Sequence, residues 1–502
     1  MNRNTIPRKF ALSCTLASAI ALSSASGQVT PGGTFGDHAL ILEDGGGEQL
    51  AAASASDGFG TSLLHEFDNA LSVDGSYELN PNGNNSAEIA LSAGRHLVMY
   101  DTRFDTTGGT NRAEVLANLN LAGTPLAIGR SQGFLRRLGG ADEMVLSGGG
   151  IITVASDNDI LTLETRRSDS NPSAGVLPTR AANGTAIQLL KLDDNWDFLS
   201  LQRSTNQAGT VDTDFTDVTY DTIDPGSSAG SAFSFPGASG DVTLNESGLY
   251  LVFANTRIEK ADGNNVRTNY QQRLALDGAE VVGSLTTTYL RGNANGENTQ
   301  SGAAAIGTLV SATAGQVLSV ELAMEAGGTP STIQGNETAL TIVKLPPGAK
   351  SISLTSAASQ EVNTATTTPV TFDTSQFGNG LFSHTSGTSP VTVNDTDDYL
   401  FFGTIFTSSD ATNDNQDRTV PLQGWQIDGA GGPIARGRAA AYNRDSTGDR
   451  TSGSWGGLIT SLTAGQTIEL TTERLGNTDT GATSSVSLKG LSISSLVVSN
   501  DP

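Results

Sequence analysis

The sequence predicts an all-β protein, built as three tandem antiparallel jelly-roll β-sandwiches. Three observations lead there. Apolar and polar residues alternate at period 2, so that Leu318, Val320, Leu322 and Met324 share one strand face and Ser319 and Glu321 the other. Gly, Asn, Asp, Ser and Thr separate such runs, and no helical period is evident. One short motif returns three times, as HEFDNAL around Phe67, VTYDTID around Tyr220 and VTFDTSQ around Phe372, 153 and 152 residues apart. A solenoid repeat is about 20 to 50 residues long, so a period this large is a whole domain.

Other landmarks keep the same beat. Gly94, Gly248 and Asp397 open the apolar runs RHLVMY, LYLVFA and DYLFFG. Arg112, Arg267 and Arg418 each stand eleven residues before a turn glycine, Gly123, Gly278 and Gly429. Ile187, Leu340 and Leu491 are aligned in the closing runs AIQLLKL, ALTIVKL and GLSISSL. The expected division is a signal peptide over 1–27 and modules over 28–195, 196–348 and 349–502. Within each module the strands follow the turn signals. Asp277-Gly278 and Asp428-Gly429 favour tight hairpins because both residues adopt positive φ, whereas Ala122-Gly123 is a weaker signal.

Residues 1–27 carry Arg3, Arg8 and Lys9, then the apolar FALSCTLASAIAL, then small residues before Gln28, the pattern of a cleaved export signal. Cys14 lies inside the apolar stretch, a poor place for lipid attachment. Removing this segment leaves 28 − 3 = 25 basic side chains against 52 acidic ones and no cysteine. No disulfide holds the expected fold, and modules of this size bury an adequate core without one. The acidity argues against nucleic acid and anionic membranes as partners. No later run approaches the roughly 20 apolar residues of a membrane helix, so a secreted or cell-surface protein without a transmembrane segment is expected.

Taken in order, the motifs resemble the C1q and tumour-necrosis-factor-like jelly-roll superfamily. In the second module VTYD is followed by SGLYLVF, LALDG, SGAAAIGTLVSATAGQVLSVEL and ALTIVKL. The third offers VTFD, DYLFF, QIDG, SGSWGGLITSLTAGQTIEL and GLSISSL, with Asp397 in place of the glycine. The first departs most, with His96 where Tyr250 and Tyr399 stand and Asp157-Asn158-Asp159 in place of Ala-Gly-Gln. The resemblance implies a trimer-forming sandwich that buries one sheet face near a threefold axis. Three modules in one chain then form a single-chain pseudotrimer, which is favoured here over beads on a string. Leu97, Leu251 and Leu400, with Met99, Phe253 and Phe402, are expected as each module's own core. The opposite face, with His96, Val98 and Tyr100, Tyr250 and Val252, and Tyr399 and Phe401, is expected to meet the sibling modules.

Candidate site residues are sparse. The loop after the Tyr-rich strand is richest in oxygen ligands in the third module, and Asp410, Asp414 and Asp417 are the set that would hold calcium, which takes six to eight oxygens. Solvated turns explain the same letters without a metal, and that is the weightier reading; no cofactor is expected otherwise. Arg112, Arg267 and Arg418 read as structural, each in an ion pair or bonded to a loop carbonyl. The four histidines do not occur at metal-ligand spacing, and no G-x-S-x-G or phosphate-cradling glycine loop is present. Trp196, Trp425 and Trp455 are too dispersed for a sugar platform and read as core. The expected function is therefore noncatalytic, an extracellular binding, adhesion or matrix protein with a protein or glycan ligand. The runner-up is a secreted polysaccharide-active enzyme on a β-sandwich.

Overall fold

The computed structural model describes residues 39–493 apart from 45–62, 68, 73–75, 80, 82–86, 107–111, 137–142, 168–177, 193, 195, 228–231, 261–266, 292–300, 326–330, 363, 379, 410–417, 430–432, 445–450 and 476–480. The expected export signal and the loop carrying Asp410, Asp414 and Asp417 lie outside the described residues. The described residues form strands and no α-helix, in six antiparallel sheets that fall into three pairs.

Seven principal strands build each pair. In the first they are β1 (Ala39–Asp44), β2 (Gly94–Thr106), β3 (Arg112–Leu121), β4 (Ser131–Arg136), β5 (Glu143–Val154), β6 (Asp159–Arg167) and β7 (Pro178–Leu192). In the second they are β8 (Phe198–Gln202), β9 (Gly248–Lys260), β10 (Arg267–Leu276), β11 (Thr286–Arg291), β12 (Ser301–Ala312), β13 (Val317–Met324) and β14 (Ala339–Lys344). In the third they are β15 (Ser351–Ser356), β16 (Asp397–Ser409), β17 (Arg418–Ile427), β18 (Asn443–Arg444), β19 (Thr451–Leu462), β20 (Thr467–Leu475) and β21 (Gly481–Ser492). One sheet of each pair runs β5-β2-β7-β1, β12-β9-β14-β8 or β19-β16-β21-β15. Its mate runs β6-β3-β4, β13-β10-β11 or β20-β17-β18, with short strands completing the edges. The same non-sequential strand order therefore recurs three times, as jelly-roll connections require.

Local chemistry explains the recurrent corners. Ala122-Gly123, Asp277-Gly278 and Asp428-Gly429 all have positive φ at both residues, so the turn forms even where alanine must adopt φ 49°. The Asp277 carboxylate also accepts from Val317 N at 2.9 Å and Gln316 Nε2 at 2.9 Å, tying its hairpin to the next turn. Asp428 does the same with Thr467 N and Gln466 Nε2, both at 2.8 Å. In the first sandwich alanine stands at the clamp position, and Asp157 instead accepts from Ala93 N at 2.7 Å, tying the turn before β6 to the start of β2. His96 replaces tyrosine without losing the corner: its Nε2 lies 2.9 Å from Ser92 O, four residues back. Tyr250 bonds Glu246 O and Tyr399 bonds Asp395 O across the same interval.

The two faces of the central strand are the reverse of the sequence expectation. Tyr250 and Val252 lie in the second sandwich's own core, and Tyr399 and Phe401 in the third's. Leu251, Phe253, Leu400 and Phe402 instead join a cluster shared by the three sandwiches, which also holds Leu97, Val98, Met99 and Tyr100 of the first. There Phe253 packs edge-on against Phe402 at 5.8 Å and Trp455 at 5.8 Å. The reason is that both faces are apolar, so alternation groups residues by face without saying which face looks outward from the sandwich. Tyrosine decides it, because its buried hydroxyl finds a partner only at its own corner. Close approach at the junction also needs Gly307, where a Cβ would sit 2.5 Å from Trp455 and 2.7 Å from Phe253.

A second correction concerns register. Ile187 pairs with Tyr100 and Leu340 with Ala254, but Leu491 pairs with Leu400, three residues away from the related position. Leu488, opposite Gly403, is the true counterpart. A run of alternating small and apolar residues offers several equivalent alignments, and only the ladder selects one.

Candidate functional site

The recurrent arginines open strands of equal length, β3, β10 and β17, ten residues each. Each stands opposite a second arginine: Arg112 pairs with Arg136, Arg267 with Arg291 and Arg418 with Arg444. Arg291 and Arg444 are buried. Two residues before the second arginine of each pair, Phe134, Tyr289 and Tyr442 form a closed triangle of rings at 4.8, 5.1 and 4.7 Å, contributed one by each sandwich. This triangle marks the common axis, and aromatic pairs in such tilted and edge-on geometry add to the burial of their surface.

Around that axis the sandwiches meet at three seams, and the same two backbone positions bridge each one. At the first–third seam, Asp101 on β2 accepts from Gly437 N at 2.8 Å and from Arg438 Nη2 at 3.1 Å. Both partners are buried, with side-chain exposures of 8% for Arg438 and 1% for Asp101. Gln188 on β7 donates to Gly457 O at 2.8 Å and accepts from Ile459 N at 2.7 Å. At the second–first seam, Asn255 donates to Ala127 O at 3.0 Å and Thr341 accepts from Ile151 N at 3.4 Å. Glu337 there joins Arg130 and Arg257, the latter at 2.7 Å. Burial lowers the pKa of the Arg130 guanidinium, and Glu337 opposes that shift. At the third–second seam, Thr404 donates to Gly283 O at 2.9 Å and Lys489 donates to Leu309 O at 2.7 Å. First to third, third to second and second to first, the contacts close a ring.

The third–second seam also holds a cleft of about 400 Å³. Leu276, Val282, Leu309 and Phe377 give it apolar walls, while Glu280 and Lys489 supply its ionisable groups. Val282 is one of two large apolar side chains exposed among the described residues. Lys489 is 3% exposed, and burial lowers its pKa from 10.5 to about 7. Burial raises the Glu280 carboxyl, with Arg273 opposing. Cavities with a few convergent polar groups of shifted pKa are the usual form of a small-molecule site.

The structure distributes the remaining sequence candidates elsewhere. His65 lies 3.0 Å from the Thr165 hydroxyl, His96 is held at its corner, and His384 lies between Pro390 O and Phe372 O. All three tryptophans are buried. Among the described residues, no group of three or more His, Cys, Asp or Glu side chains gathers as a metal site, and no helix is long and apolar enough to cross a membrane. Sequence reasoning did not single out Asp101, Gln188 or Lys489. Their shared position emerges only from strand pairing, which sets Gln188 opposite Met99 and Lys489 opposite Phe402.

No protein-family model matches the chain, and no curated protein matches it. Solved structures similar to it include murine APRIL at pH 8.5, at 15% identity over 30% of this chain and 100% of that one, TM-score 0.21. Eiger TNF from S. frugiperda is 13% identical over 30% of this chain and 93% of its own, TM-score 0.23. The globular domain of zebrafish complement 1qA is 12% identical over 29% of this chain and 97% of its own, TM-score 0.19.

Proposed function

We propose that this chain is an exported, noncatalytic binding protein that presents three related loop sets from one closed frame. In this reading residues 1–27 are a signal peptide, and 28–195, 196–348 and 349–502 are three C1q/TNF-like modules acting together in adhesion or matrix assembly at the cell exterior. The observation that carries it is the ring of seam contacts, which fixes the strands β2, β9 and β16 relative to one another. Once one loop engages a surface, the others are held at high effective concentration, so weak contacts add up. Loops that differ in sequence while the strand frame repeats suit recognition of a composite protein or glycan surface.

The test is binding of the whole protein to arrays of immobilised extracellular proteins and glycans. Retention well above an unrelated acidic protein of similar size supports the reading, and background retention across both arrays overturns it in favour of a purely structural role. The calcium set Asp410, Asp414 and Asp417 is tested apart, by titration calorimetry: heat lost on replacing all three with asparagine supports it, and no heat in the unmodified protein dismisses it.

A further inference from the structure

We propose that the cleft between the second and third sandwiches captures small aldehydes covalently, with the Lys489 amine as nucleophile. Position comes first. Thr341 and Lys489 stand opposite Phe253 and Phe402, and Gln188 stands opposite Met99, so the three are one position of the repeat. Gln188 and Thr341 bridge their seams to the neighbouring strand with neutral side chains. The bridge therefore needs no amine, and burying a lysine there is costly unless it is held neutral.

Geometry supplies the rest. Lys489 lines an open cleft of about 400 Å³ whose walls include Leu276, Val282, Leu309 and Phe377. A neutral amine donating one N–H to Leu309 O, 2.7 Å away, still carries a lone pair. Desolvation in an apolar pocket is one way a lysine becomes a nucleophile near neutral pH. The lone pair attacks the carbonyl carbon and forms a C–N bond, while the carbonyl π pair moves to oxygen. That oxygen takes a proton, nitrogen loses one, and departure of water leaves an imine with no change of oxidation state. Glu280 lines the same cleft, and the protons that the step takes up and releases exchange with water. The apolar walls fit an aldehyde with a short hydrocarbon tail.

Whole protein at pH 7.5 is treated with butanal and sodium cyanoborohydride, and alkylated peptides are followed by mass spectrometry. Lys489 is expected to label about tenfold faster than Lys350, whose side chain is 51% exposed. That advantage is expected to shrink as the pH approaches 10.5, and glycolaldehyde in place of butanal is expected to label Lys489 more slowly. Labelling of Lys489 no faster than Lys350 overturns the proposal. A Lys489→Gln variant, carrying the first sandwich's residue, checks the assignment: persistence of the fast label in that variant overturns it as well.

Discussion

The seam between the first and third sandwiches and the seam between the third and second use the same backbone positions with opposite chemistry. At the first, Asp101 meets Arg438 as a buried ion pair and Gln188 meets a backbone donor and a backbone acceptor. At the second, Thr404 makes one neutral hydrogen bond and Lys489 contributes a lone amine. The difference shows that the repeat fixes where a seam is bridged and leaves open what bridges it. An ion pair thus bridges one seam, and a single amine held largely neutral bridges the other.

The largest expected effect comes from breaking the paired side. Asp101→Ala leaves the Arg438 guanidinium buried without its carboxylate, and should cost about 3–5 kcal/mol in urea unfolding. Replacing both partners by apolar residues should cost less than the single change. An equal loss for single and double variants would place the stability elsewhere.

The amine side should behave in the opposite sense. Lys489 has a folded pKa of about 7 against 10.5, so between these values the unfolded chain binds more protons and wild-type stability rises with pH. Below about pH 7, Lys489→Gln should be more stable than wild type by about 2–4 kcal/mol, and the gap should close toward pH 10.5. A gap independent of pH contradicts the burial argument.

Two smaller changes sharpen the contrast. Thr404→Val removes the one hydrogen bond to Gly283 O and should cost about 1 kcal/mol, well below Asp101→Ala. The hairpin clamp in the second sandwich gives the smallest signal. The Asp277 carboxyl is held below its usual 3.8 by the Val317 N–H and then by Gln316. Its contribution is present above that value and fades as pH falls through the lower folded pKa. The melting temperature of wild type should therefore drop more steeply below pH 4 than that of Asp277→Ala, as followed by circular dichroism.

Much of the fold was legible in the letters because its signals are local. Asp-Gly turns and the VTYD and VTFD motifs act over a few residues. Phe67, Tyr220 and Phe372 are all buried, although Asp221 and Asp373 accept from donors 17 and 16 residues back, Ser204 N and Ala357 N. Even the departure at His96 kept its corner, since imidazole and phenol both reach a carbonyl four residues back. The seams were not legible. Leu251 and Tyr250 are equally apolar in a pattern of alternation, and Lys489 reads as an ordinary charged residue in a closing strand.

The sequence alone determined that this chain is all β, repeats about every 150 residues and turns at particular glycines, because backbone sterics and period-2 burial are written residue by residue. Which face turns toward the axis, which register the closing strand takes, and which lysine loses its water were decided by the tertiary structure. Those outcomes depend on desolvation and ladder pairing between segments far apart in the chain, and no local pattern encodes either.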